Sequence, residues 1–156
     1  MPATPDSMDV LKQFRLIYKS VKTHFQDIEN QCHVSGSQLW ALSVIARQPG
    51  IRVSELAKEM AIHQSTASNL IERLVTQGFV LKERSTKDQR IVQLHPTAKG
   101  RLIVVDAPKP TEGVLPNALA HLSPITLSQL HGNLEEVIGL LKLREKSGAN
   151  TPLADM

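Results

Sequence analysis

Between Val53 and Gly100, two short amphipathic runs lie four residues apart and lead straight into a basic, hairpin-like stretch. Few folds accommodate that succession. Leu56, Ala57 and Met60 form a short apolar stripe, and Ser54 and Glu55 suit the start of its helix. After Ala61 to Gln64, residues Ala67, Leu70, Ile71, Leu74 and Val75 recur at the i, i+3, i+4, i+7, i+8 spacing of a helix with one buried face. Gly78 is placed to end that helix as a left-handed residue just past its last turn. Two helices joined by so short a connection form a helix-turn-helix.

The face opposite the apolar stripe carries hydrogen-bonding groups. Ser65, Asn69, Glu72 and Thr76 point away from the stripe, with Ser68 and Arg73 at its flanks. Gln64, Ser65, Thr66, Ser68 and Asn69 cluster near the helix start, where Gln and Asn can pair bidentately with an adenine edge and hydroxyls suit phosphates. Helix N-terminal amides add phosphate contacts of their own. The same residues would suit any solvated helix surface, so this face alone does not choose. Glu72 repels phosphate and is expected beyond the contacted turn.

The following segment does choose. Phe79 to Ser85 and Arg90 to His95 read as strands joined across Thr86, Lys87, Asp88 and Gln89. Lys82, Arg84, Lys87 and Arg90 make the hairpin basic, and Asp88, two residues from Arg90, is expected to hold its guanidinium. An isolated charged hairpin is usually just solvated. Placed directly after a helix-turn-helix, it reads as a wing whose cations neutralise nucleic-acid phosphates. The charge distribution agrees: residues 52–101 hold nine Lys/Arg against five Asp/Glu, whereas the rest of the chain holds nine against ten.

Residues 35–101 and their flanking helices resemble the MarR family of bacterial transcriptional regulators. The resemblance is carried by LVTQGFVLKERSTKDQRIVQLHPTAKG and by the upstream SELAKEM and HQSTASNLIERL. It implies a mainly α fold with a small β-hairpin wing, in which a winged helix-turn-helix is flanked by N- and C-terminal dimerisation helices. It also implies that Asp88 and Arg90 form the wing tip, with Arg90 reaching a minor groove, and that Thr97 and Gly100 open the next helix. The DNA contacts expected on this basis are Gln64, Ser65, Thr66, Ser68, Asn69, Arg73, Arg84, Lys87, Asp88 and Arg90. Three positions depart from the family's usual pattern: Gln89 in place of a second basic residue, His95-Pro96 before Thr97, and His63 where a Ser or Asp cap is common.

The flanks carry apolar stripes. Val10, Phe14, Ile17, Val21, Phe25 and Ile28 recur at helical spacing, and Leu127, Leu130, Leu134, Val137 and Leu141 alternate by three and four. No Asp, Glu, Lys or Arg occurs between Glu112 and Glu135, but the prolines and polar residues there make a poor membrane span. Burial against a second copy explains the stretch better, and the resemblance implies that the first and last helices pair across a two-fold axis. Pro108 and Pro110 either bend the helix that begins near Thr97 or mark a loop at 108–113 between two shorter helices. The expected layout is therefore a dimerisation helix over 1–34, the reader over 35–101, linker and C-terminal dimerisation helices over 102–146, and a flexible tail over 147–156.

At 156 residues the chain suits one intertwined domain with a real core. Its opening stretch MPATPDSMDV lacks the basic and apolar segments of a secretory signal, and a single Cys allows no internal disulfide, so a cytoplasmic setting is expected. No nucleophile elbow, paired carboxylate or phosphate loop argues for an enzyme or a bound cofactor. The resemblance implies a small aromatic or anionic effector, for which Tyr18, His24, His33 and Trp40 are the candidate lining. Core packing and ordinary surface polarity are the competing readings of those four. Cys32 beside His33 is either a reactive redox thiol or a half-buried helix-end residue, and the spacing of His24, Cys32 and His33 matches no standard zinc pattern. Duplex DNA and a second copy of the chain are thus the expected partners. The competing class is a winged helix turned protein-interaction module, which would tend to lose the basic wing tip.

Overall fold

The computed structural model describes residues 3–141 and 147–156. Among these residues, seven α-helices and one antiparallel hairpin follow in the order α1 (Ser7–Cys32), α2 (Gly36–Arg47), α3 (Val53–Glu59), α4 (Gln64–Thr76), β1 (Val80–Arg84), β2 (Val92–Pro96), α5 (Ala98–Asp106), α6 (Val114–Ala120) and α7 (Pro124–Leu140). The mainly helical fold with a small hairpin wing is the one the sequence implied.

Capping explains where most of these helices start. The Asp6 carboxylate accepts from the Met8 and Asp9 amides, and Ser35 and Gln38 form a reciprocal box at the head of α2. Ser123 accepts from Thr126 at the start of α7, with Pro124 as its first helical residue. Helix α3 starts at Val53 rather than Ser54, because Glu55 reaches back to the Arg52 backbone N–H at 3.2 Å.

The turn between α3 and α4 has a defined chemistry. Ala61 adopts φ +52°, the Ile62 amide donates to Ala57 O at 3.0 Å, and the Ala61 amide donates to Lys58 O at 3.2 Å. That is a Schellman ending, sealed by the buried pair Ala57 and Ile62, with alanine holding the position glycine usually takes. Helix α4 ends the same way with the expected residue. Gly78 sits at φ +79°, Phe79 N donates to Leu74 O at 2.9 Å, and Gly78 N donates to Val75 O at 3.0 Å.

The core gathers around α2. Leu39, Leu42, Val44 and Ile45 have no exposed surface, nor have Ile71 and Leu74 of α4 or Leu94 of β2. Each such side chain contributes about 1.5–3 kcal/mol on leaving water. Ile51 adds a third short edge to the hairpin, since Gly50 N donates to Leu94 O at 2.8 Å and Leu94 N to Ile51 O at 2.9 Å. The strands are shorter than the sequence suggests, with Val80 opposite Pro96 and Arg84 opposite Val92 and a seven-residue tip between them.

The flanking helices behave differently along their length. The α1 stripe passes from exposed Val10, Phe14 and Ile17 through half-buried Val21 and Phe25 to Ile28, which is fully buried against α2. On α7 and its C-cap, Ile125, Leu127, Val137, Ile138, Leu140 and Leu141 are all exposed. Pro108 and Pro110 lie in a loop between α5 and α6, so the two-helix reading of that segment is the one observed. Residues 142–146, part of the expected C-terminal dimerisation region, lie outside the described residues. Ser147–Asn150 and Leu153–Asp155 form short 3-10 turns against α2 and the α3–α4 turn, where the sequence had suggested a frayed tail.

Candidate nucleic-acid interface

Helix α4 packs against strand β1 of the hairpin, and the Glu72–Lys82 ion pair joins the two. On α4, Gln64, Ser65 and Asn69 are exposed and Thr66 and Ser68 half-buried, so the hydrogen-bonding groups of the first two turns face outward as their spacing requires. The buried side is Ala67, Leu70, Ile71 and Leu74. Arg73 is also exposed, but nine residues beyond Gln64 it lies about 13 Å further along the axis. It sits by a shallow recess formed with Gln38, Glu72, Thr76 and Gln77.

Two hydrogen bonds clamp the end of α4 to the exit of the wing, and a third caps the next helix. The Thr97 hydroxyl donates to Gly78 O at 2.7 Å and accepts from Gly100 N at 3.0 Å, while Thr97 N donates to Phe79 O at 3.0 Å. Thr97 thereby caps α5 and anchors the hairpin in one step. Gly100 is required beside it, because a Cβ there would lie 2.2 Å from Phe79 O. Thr97 and Gly100 open the helix after the wing, as the resemblance implied.

The tip from Ser85 to Ile91 is held by its own short polar groups. Ser85 N donates to Ile91 O at 2.9 Å, Ile91 N to Asp88 O at 3.0 Å, and Lys87 N to Ser85 Oγ at 3.2 Å. Asp88 does not hold the Arg90 guanidinium. Its carboxylate accepts from the Arg90 backbone N–H at 3.0 Å, a local bond that a short side chain makes two residues on.

The four wing cations fall into two pairs. Arg84 turns back into the loop, where Nη1 donates to Gln89 O at 2.8 Å, and Lys82 forms an ion pair with Glu72 of α4. Among the described residues, Lys87 and Arg90 have no carboxylate partner, and both are exposed at the tip. Glu72 is therefore neutralised by the wing. Sequence reasoning missed this pair because ten residues and the Gly78 reversal separate its members; only the hairpin's return past α4 brings them together.

The expected effector residues do not converge. Tyr18 is exposed on α1, and His33 is the exposed left-handed C-cap of that helix at φ +57°. His24 is buried, with Nε2 donating to Pro110 O at 3.0 Å, which ties α1 to the proline loop. Only Trp40 lines a cleft, a space of about 180 Å³ walled by Val21, Phe25, Met60, Ile62 and Leu115. Cys32 is buried, and that burial pushes its thiol pKa up; Lys109 opposes the shift and Asp106 adds to it. Among the described residues no three His, Cys, Asp or Glu side chains gather as metal ligands, and no helix is long and apolar enough to cross a membrane.

Residues 34–92 match the model of the MarR family. The chain is similar to the HTH-type transcriptional repressor MdtR of Bacillus subtilis, 22% identical over 92 residues covering 59% of each protein. It is also similar to the HTH-type transcriptional regulator Hpr of Bacillus licheniformis, 24% identical over 132 residues covering 83% of this chain and 62% of that one. The chain spans about three fifths of the length of the curated relatives it matches. Among solved structures, Streptococcus pneumoniae FabT in complex with DNA superposes with a TM-score of 0.60 at 20% identity, over 88% of this chain and 98% of that one. The S. aureus MepR–DNA complex gives 0.57 at 16% identity, over 88% and 97%.

Proposed function

We propose that this chain, whose residues 34–92 match the MarR family model, is a winged-helix protein of that family and a sequence-specific DNA-binding transcriptional regulator working as a homodimer. The observation that carries this reading is the pairing of an outward hydrogen-bonding face on α4 with two uncommitted cations at the wing tip. In this reading Gln64, Ser65 and Asn69 meet base edges in a major groove, with Thr66 and Ser68 at the adjoining phosphates. Lys87 and Arg90 grip the neighbouring minor groove. Arg84 and Asp88 shape the loop that presents them, and Arg73 contacts backbone at the far end of the helix.

The exposed apolar side chains of α1 and α7 support the dimer. Phe14 and Ile17 at 41% and 45% exposure, with Leu127, Val137 and Ile138, are a large apolar area for a lone chain to show water. Two-fold pairing of these helices places two readers on a pseudo-palindromic site with half-sites about one helical turn apart. Occupancy of such a site near a promoter would repress the adjacent genes, in the cytoplasm where the DNA lies. The Trp40 cleft is the seat for a small aromatic effector whose binding releases DNA. The redox alternative is disfavoured by the buried Cys32, whose raised pKa keeps it protonated.

The test is fluorescence anisotropy of the purified chain against a pool of duplexes from its own genome, with sedimentation giving the stoichiometry. Selective capture of one duplex by two chains is expected. Binding with no preference among duplexes, or none at all, would support the protein-interaction alternative. Thermal-shift screening of small aromatic acids, followed by their effect on the bound duplex, tests the effector.

A further inference from the structure

The residues around the start of α4 include a part of the chain with no assigned role. Helices α1, α2, α5 and α7 each begin with a side chain that accepts a backbone N–H. Helix α4 does not: its N-cap His63 makes no side-chain cap bond. In a capping box the N-cap N–H is taken by a long side chain at the third helical position. That position is Thr66, and the His63 N–H instead donates to Asn150 O, at 3.2 Å. The C-terminal segment supplies the missing acceptor.

The same segment is anchored at a second place. Ser37 Oγ donates to Asp155 Oδ1 at 2.9 Å, at the head of α2. Between these bonds Pro152 is buried, and Pro152, Leu153 and Ala154 wall the cleft that holds Trp40, Met60 and Ile62. Gly36 makes room for this packing, since a Cβ there would lie 2.4 Å from Phe25 Cδ1 and 3.3 Å from Ala154 Cβ. The segment thus ties the start of α2 to the turn from which α4 springs.

We propose that residues 147–156 form a strap that positions the DNA-reading helix, with Asn150 capping α4 and Pro152 and Asp155 holding Asn150 in place. This rests on the reading of α4 as the base-contacting helix. A carbonyl at the positive end of a helix favours its first turn electrostatically as well as by the hydrogen bond. It therefore fixes the backbone that carries Gln64, Ser65 and Thr66, ahead of any contact with DNA. Asn150, Pro152 and Asp155 are positioning residues and touch no base in this scheme.

The experiment uses the full chain with Pro152→Asp, which puts a charge into the buried seat, and separately Asp155→Asn at an exposed position. Trp40, the chain's single tryptophan, reports whether the segment is seated. Hydrogen exchange over residues 62–66 reports the cap, and duplex affinity reports the consequence. The expected result for Pro152→Asp is a red-shifted Trp40 emission, exchange about tenfold faster over 62–66, and affinity about three- to tenfold weaker, with far-UV circular dichroism unchanged. Asp155→Asn moves the same three readouts in the same direction by less. Unchanged Trp40 emission, unchanged exchange over 62–66, or faster exchange with undiminished affinity would each overturn the strap. A wild-type chain that binds no duplex contradicts the proposed function instead, and exchange over 62–66 still decides whether the segment caps α4.

Discussion

The Thr97 hydroxyl donates to the Gly78 carbonyl at 2.7 Å, joining the residue that ends α4 to the residue that caps the helix after the wing. One side chain therefore fixes the wing against α4 and caps α5 at once. Thr97→Ala removes both bonds and leaves the Gly100 N–H without its partner. The expected loss is about 1–2 kcal/mol, read as a fall in melting temperature of roughly 2–8 °C. Thr97→Ser keeps the hydroxyl and recovers most of it. Equal melting temperatures for the Ala variant and the wild type would refute the clamp.

Gly100 sits close against the backbone at the start of the wing. A methyl group added there lies 2.2 Å from Phe79 O and 3.2 Å from Leu42 Cδ1, so either the wing or α5 must move. Gly100→Ala is expected to destabilise by about 3 kcal/mol, measured by urea unfolding. A loss below about 1 kcal/mol would mean that α5 slides freely against the wing.

The stop at Gly78 and the α4 stripe were legible in the sequence, because each is set by contacts within a few residues; the Thr97–Gly100 opening came from the family resemblance. Asp88 was half legible. Its link to Arg90 was expected through the guanidinium, but a two-residue reach from a short carboxylate favours the backbone N–H. The Glu72–Lys82 pair and the Arg84 bond to Gln89 O depend on how the hairpin folds back, which spacing does not encode. His24 was weighed for a ligand cleft; its partner, Pro110 O, lies 86 residues away in a loop of the opposite half. The C-terminal segment had no legible signal at all. It docks through a carbonyl, a proline and a carboxylate, and SGANTPLADM shows no periodicity.

Cys32 yields a prediction with a definite sign. Burial raises its folded-state pKa, so the folded chain holds the thiol proton more tightly than the unfolded chain does. The resulting stability is fully present below the ordinary thiol pKa and is lost as pH rises through the folded value. Unfolding free energy should therefore decline at alkaline pH, and Cys32→Ala should flatten that decline. At neutral pH the native thiol should react with a disulfide reagent far more slowly than the denatured one. Comparable rates in the two states would restore the redox reading.

The central claim is that α4 and the wing tip read DNA together, with Arg90 supplying grip and Asn69 supplying choice. The most direct measurement is duplex affinity against salt concentration for the wild type, Arg90→Ala and Asn69→Ala. The wild type should lose affinity steeply and linearly on logarithmic axes, and Arg90→Ala should weaken every duplex while reducing the salt slope by about one. Asn69→Ala should keep the slope and narrow the gap between preferred and other duplexes by about 1–3 kcal/mol. A salt-independent affinity, or an Arg90→Ala chain that binds every duplex as the wild type does, would contradict the account.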